Sequence, residues 1–170
     1  PDGATVNDKA TSGSASTDVN GRGYDIVVSH SGLGDGLNIF GGISNIAQGV
    51  QDHTSHVVGF TFAAGAATIG YQQSFDNSKN QSVDAYDNQA FGISFDVNDD
   101  LTISYGEHKS NKEVQDGGID VETKASSIQA AYTMGGATVK IAETSVDNAV
   151  YASGSANERD GTTIALSLAF

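Results

Sequence analysis

The chain of 170 residues has no cysteine, no tryptophan, one proline and one methionine. The missing cysteines exclude disulfide frameworks, thiolate metal sites and cysteine nucleophiles. Positive charge is scarce: 8 Lys+Arg stand against 21 Asp+Glu, for a net charge of −13. That balance disfavours a nucleic-acid partner, because phosphate binding needs clustered Lys and Arg. Charge of both signs is low, at 17% of residues, where a soluble globular protein carries about 25%. No run approaches the ~18 apolar residues of a transmembrane helix. Barrel strands give a far weaker signal, so a membrane stays open. No charged-then-apolar leader precedes Pro1, which reads as a cleaved signal or a missing start.

What is present is small and polar. The chain holds 21 Gly, with 38% hydrophobic residues and much Ser, Thr, Asn and Gln. Alternation with period two dominates, and it means strands with two different faces. It predicts nine strands, at about 23–31, 37–46, 56–64, 67–75, 89–97, 101–109, 125–134, 137–145 and 161–170. One face carries Ile26, Ile39, Phe60, Tyr71, Ile93, Ile103, Ile128, Val139 and Leu166. The other offers Asp25, Ser94, Asp96, Thr102, Ser104, Lys140 and Thr144. Alternation alone does not separate a soluble sandwich from a membrane barrel.

The connections favour the barrel. Short ones hold Gly32–Gly36, Gly65-Ala66, Asn98–Asp100 and Gly135-Gly136, residues that suit tight turns. Long ones are expected at 47–55, 76–88, 110–124 and 146–160, alternating with the short ones. Up-and-down membrane barrels have this asymmetry, with an aromatic girdle at the interface. Phe62, Phe95, Tyr132 and Phe170 sit at or near the short-turn end of the apolar face. With Leu166 and Leu168 they are the expected lipid-facing positions; the seven polar-face residues above are the expected pore lining. Residues 1–22 read as the remnant of an external loop and 23–170 as barrel strands. An odd strand count beginning in an external loop implies further N-terminal strands.

The run Gly161-Thr162-Thr163-Ile164-Ala165-Leu166-Ser167-Leu168-Ala169-Phe170 resembles the terminal insertion signal of outer-membrane barrels. The stretch from Phe91 to Gly106 resembles a hairpin of a Gram-negative general porin, most of all the alphaproteobacterial porins such as those of Rhodobacter. The resemblance covers residues 23–170. It implies an all-β, antiparallel, up-and-down barrel of 16 strands, of which these are the C-terminal nine. It implies a homotrimer in the bacterial outer membrane, in contact with lipid and lipopolysaccharide, passing ions and small hydrophilic solutes by passive diffusion. The family's inward constriction loop falls in the part expected to be missing, and its arginine cluster cannot be mapped here, since Arg22 and Arg159 both read as loop residues.

No motif marks an enzyme. There is no Gly-x-Ser-x-Gly elbow and no phosphate-binding loop. The spacing of His53 and His56, beside Asp52, is compatible with a metal held in a turn, although a solvated loop is the plainer reading. Acidic loops carry Asp76, Asp84 and Asp87, then Asp116, Asp120 and Glu122, then Asp147, Glu158 and Asp160. Oxygen clusters of this kind hold Ca²⁺, and Asp84, Asp87, Asp116 and Asp120 are the candidate ligands; no other cofactor is expected. Two alternatives stand beside the pore: a fragment acting as a self-assembling, fibril-like structural protein through its open edges, and a soluble Ca²⁺-binding acidic β-protein.

Overall fold

The computed structural model describes residues 23–48, 51–77, 83–114 and 118–169. Residues 1–22, Asp116 and Phe170, which carried three of the expectations above, lie outside them. The nine strands are β1 Gly23–His30, β2 Leu37–Gln48, β3 Gln51–Ala64, β4 Ala67–Asn77, β5 Val83–Asp96, β6 Leu101–Val114, β7 Val121–Met134, β8 Ala137–Asp147 and β9 Arg159–Leu168. They form one antiparallel sheet in sequence order, each strand paired with the next. The all-β, up-and-down architecture is as the alternation predicts.

Tight turns are fixed by residues that tolerate left-handed backbone. Gly36, Gly65 and Gly135 have φ of 76°, 60° and 59°. A side chain at Gly36 would also run into the carbonyl oxygen of Ala63, whose amide bonds back to the Gly36 carbonyl at 2.9 Å. In the β5–β6 turn the Asn98 side chain accepts from the amides of Asp100 and Leu101, each at 2.9 Å. That local bond is why Asn initiates such turns.

The opposite end of the sheet differs from expectation. The connections foreseen at 47–55, 76–88 and 110–124 are mostly strand. β2 and β3 are paired out to Gln48 and Gln51. β4 runs to Asn77 and β5 starts at Val83, while β6 reaches Val114 and β7 starts at Val121. Runs of polar residues in these extensions, such as His53–Ser55, Asp87–Gln89 and Lys109–Glu113, interrupt the alternation. Of the four expected long loops, only 148–158 remains long, with short 3₁₀ turns at Ala149–Tyr151 and Ser155–Asn157.

Register sorts the side chains into two faces. One row of paired residues runs Leu37, Phe62, Ile69, Ile93, Tyr105 and Ile128 across β2 to β7. Among the described residues, every exposed large apolar side chain within a strand lies on this face, except Val27. The face is bare: Ile164 is 72% exposed and Leu166 64%. The buried apolar residues described are only Val83, Ala85 and Ala149, and no described side chain is fully enclosed. A soluble domain is held together by burying such a face, at roughly 25 cal/mol per Å². Here nothing described covers it.

The apolar residues form a band that crosses the hydrogen-bonded rows obliquely. Ile26, central in β1, is in register with Ile43, His56 and Phe75, and then with Asp87, Asn111 and Glu122. Leu166, the middle of the apolar residues Ile164, Leu166 and Leu168 of β9, is in register with Val139, Tyr132 and Leu101. The band therefore slips by about 10 residues over the eight steps from β1 to β9. At about 3.4 Å per residue and 4.8 Å between strands, that is a tilt of roughly 40°. Strands of membrane barrels tilt by about 35–45°.

Candidate functional site

The seven residues expected to line a pore fall on one face. Asp25, Ser94, Asp96, Thr102, Ser104, Lys140 and Thr144 all project opposite to the apolar band, by the register of their strands. Phe62, Phe95, Tyr132, Leu166 and Leu168 all project with the band.

The middle of the polar face is smooth. One hydrogen-bonded row holds Asn38, Thr61, Gly70, Gly92, Gly106, Ser127, Thr144 and Gly161 across β2 to β9. The Thr144 hydroxyl donates to Ser127 Oγ at 3.2 Å. Such a row exposes backbone and short hydroxyls, which hydrate without obstructing. Near the short-turn end, Thr102 donates to Asp96 Oδ1 at 2.6 Å. In β2 and β3 the surface is less polar. Phe40 lies over Gly59, where a Cβ would collide with its ring and would stand 2.7 Å from the Tyr71 carbonyl.

Charge on this face is sparse and mostly on the long-connection side. His53 Nε2 is in hydrogen-bond contact with Asp76 Oδ1 there, in the same region as Asp25, whose row continues through Ser44 and Ser55 to Asp76, Tyr86 and Lys112. Arg159 is a strand residue opposite Val146, rather than a loop residue, because β9 begins there.

Two expected metal arrangements are not assembled. His53 and His56 lie within β3, and an odd separation along a strand puts them on opposite faces. His56 instead stacks on Phe75 of β4 at 6.4 Å. Of the calcium candidates, Asp84 and Asp87 belong to β5 rather than to a loop, with Asp84 the extra residue of a bulge between Val83 and Ala85. Asp87 accepts from Gln73 Nε2 at 3.3 Å, and Asp120 accepts from the Val114 amide at 2.9 Å. Asp76, Glu122 and Asp147 are likewise strand residues. Among the described residues no three metal-type side chains converge.

One polar cluster was not legible in the sequence. After β8 the chain turns inward and lays Asn148–Tyr151 on the polar face of β5, β6 and β7. The Tyr151 hydroxyl bonds to Ser110 Oγ at 2.7 Å, and Ser110 donates to Asn88 Oδ1 at 2.5 Å. Ser110 is only 4% exposed. Thr123 donates to the Asn148 carbonyl at 2.7 Å and accepts from the Tyr151 amide at 3.2 Å. The Asn148 side chain donates to the Glu122 carbonyl at 2.9 Å. The Tyr151 ring sits 5.5 Å from that of Tyr86, with Lys112 Nζ 5.9 Å from its centre. This strap carries left-handed backbone at Asn148, Val150 and Tyr151, with φ of 52°, 59° and 56°. Asn tolerates that region, but a β-branched valine does not, and each such residue costs about 1–2 kcal/mol. No known protein-family model matches the chain, and comparison with curated proteins returns no match.

Proposed function

We propose that these strands are part of the wall of a water-filled β-pore, of porin type, in the outer membrane of a Gram-negative bacterium. Ions and small hydrophilic solutes would diffuse through it along the smooth polar face. Passive diffusion asks for no catalytic group; it asks for a hydrated, unobstructed wall and an apolar exterior. The observation that carries this reading is the oblique apolar band. A planar slab of hydrocarbon crossing tilted strands must wet a different stretch of each one, shifted steadily from strand to strand. The bare, single-layered sheet supports the same reading, since its apolar face has lipid as its natural cover.

The test is reconstitution of the purified full-length protein into planar bilayers. Stepwise conductance and a need for detergent in purification are expected. A protein that stays monodisperse in plain buffer and leaves the bilayer silent overturns the proposal. A second reading, a self-assembling structural protein, draws on β1 and β9 each having one strand neighbour among the described residues. Open edges template further pairing. Fibre diffraction with the ~4.7 Å and ~10 Å spacings of stacked strands would favour it.

A further inference from the structure

We propose that the strap Asn148–Tyr151 is a constriction element of the pore, pinned to the wall by Tyr151. This rests on the pore reading. The strap crosses the polar face, the face that would line the lumen, over the row Asn88, Ser110 and Thr123. It adds a layer of backbone and an aromatic ring where the rest of the described wall is one sheet thick. Its attachment is polar and local: Tyr151 to Ser110, Ser110 to Asn88, Thr123 to both ends of the turn. The apolar contribution is small, with Ala149 alone among its residues buried. Against these bonds stand three left-handed residues, none of them glycine. The docked strap is thus held by few contacts against backbone strain, and losing its pin favours release. Beyond it, Gly154 with φ of 111° lets the chain turn back toward β9.

Docking also sets the local charge. Lys112 is held toward the Tyr151 ring, and a tyrosine face attracts a cation. With the strap released, that ammonium is free to extend into the passage. Tyr151 therefore acts on two properties of the same mouth, its width and the placement of a positive charge.

The experiment uses full-length protein in detergent and in bilayers. Nitration by tetranitromethane, mapped by peptide mass, reads docking without reference to transport. Tyr151 is expected to react several-fold more slowly than in the denatured protein, and Ser110→Ala is expected to abolish that protection. Val150→Gly, which relieves the left-handed strain, is expected to slow the reaction further. In bilayers, Tyr151→Ala is expected to raise single-channel conductance by roughly 1.2- to 1.5-fold and to lower cation preference. Tyr151→Phe keeps the ring and lies between. Rapid nitration of Tyr151 in the unaltered protein overturns the docked strap. Slow nitration with conductance unchanged by Tyr151→Ala overturns the constriction. Slow nitration in a protein that conducts nothing refutes the pore, and with it the constriction, while leaving the strap in place.

Discussion

On the apolar face of β6 and β7, the two halves of the same strands have opposite chemistry. Toward the short turns stand Leu101, Ile103 and Tyr105, beside Ile128, Tyr132 and Met134. Toward the other end stand Glu107, Lys109 and Asn111, beside Ser126, Lys124 and Glu122. Pairing is continuous through both halves, without a bulge. The backbone does the same thing throughout, so the change reports what the side chains meet. Lys109 and Lys124 face each other directly, an arrangement that costs stability in a sheet. Glu107 relieves it by reaching both, at 3.4 and 3.1 Å, while Tyr105 at the boundary donates to the same carboxylate at 3.0 Å. One half thus solves a problem of charge in water; the other displays side chains that water does not favour.

The strongest way to break this contrast is to put one charge in each half. Ile103→Lys, in the apolar half, is expected to lower the unfolding free energy in lipid vesicles by about 2–4 kcal/mol. Asn111→Lys, in the polar half of β6 and opposite Asp87 and Glu122, is expected to lower it by no more than about 0.5 kcal/mol. Denaturant titration of both variants checks this, and equal losses would erase the distinction between the halves. A smaller effect tests the polar half itself. Glu107→Gln leaves two facing lysines unrelieved, so the denaturant midpoint should fall at low ionic strength. That loss should shrink as salt screens the repulsion, and adding Lys124→Gln should restore part of it. A loss indifferent to salt would mean that Glu107 acts through packing instead. The smallest effect is expected at the boundary in β9. Thr162 donates to Glu143 Oε2 at 2.7 Å and sits next along the face from Ile164. Thr162→Val exchanges that bond for a methyl beside the apolar band, and the same titration should register a change within about 0.5 kcal/mol.

The same boundary explains how much could be read from the residues alone. Where one face meets water and the other an apolar surrounding, the code alternates, and β5 to β9 were legible as far as Phe91, Tyr105, Ile128, Ile141 and Ile164. Beyond those residues, polar runs such as Asp87–Gln89 and Lys109–Glu113 interrupt the alternation. His53, Thr54 and Ser55 look like a loop, although they continue β3. The expected contrast of long and short connections weakened for that reason, while the two faces sorted as the alternation predicted. The strap was illegible for a different cause. Val150 and Tyr151 have the composition of a strand, and only their contacts with Ser110, Thr123 and Tyr86 hold them in a turn. No local signal encodes a conformation that the local backbone disfavours.

The slant of the apolar band also measures perimeter. A strand inclined by roughly 40° occupies about 6 Å of circumference, so the nine strands lay out about 56 Å. Rolled into a cylinder by themselves they would enclose a backbone diameter of about 18 Å, a bore that inward side chains largely fill. Solutes with their hydration shells need a wider ring. A conducting pore built on this wall must draw the remaining arc from additional strands, supplied by the same polypeptide or by other copies of it.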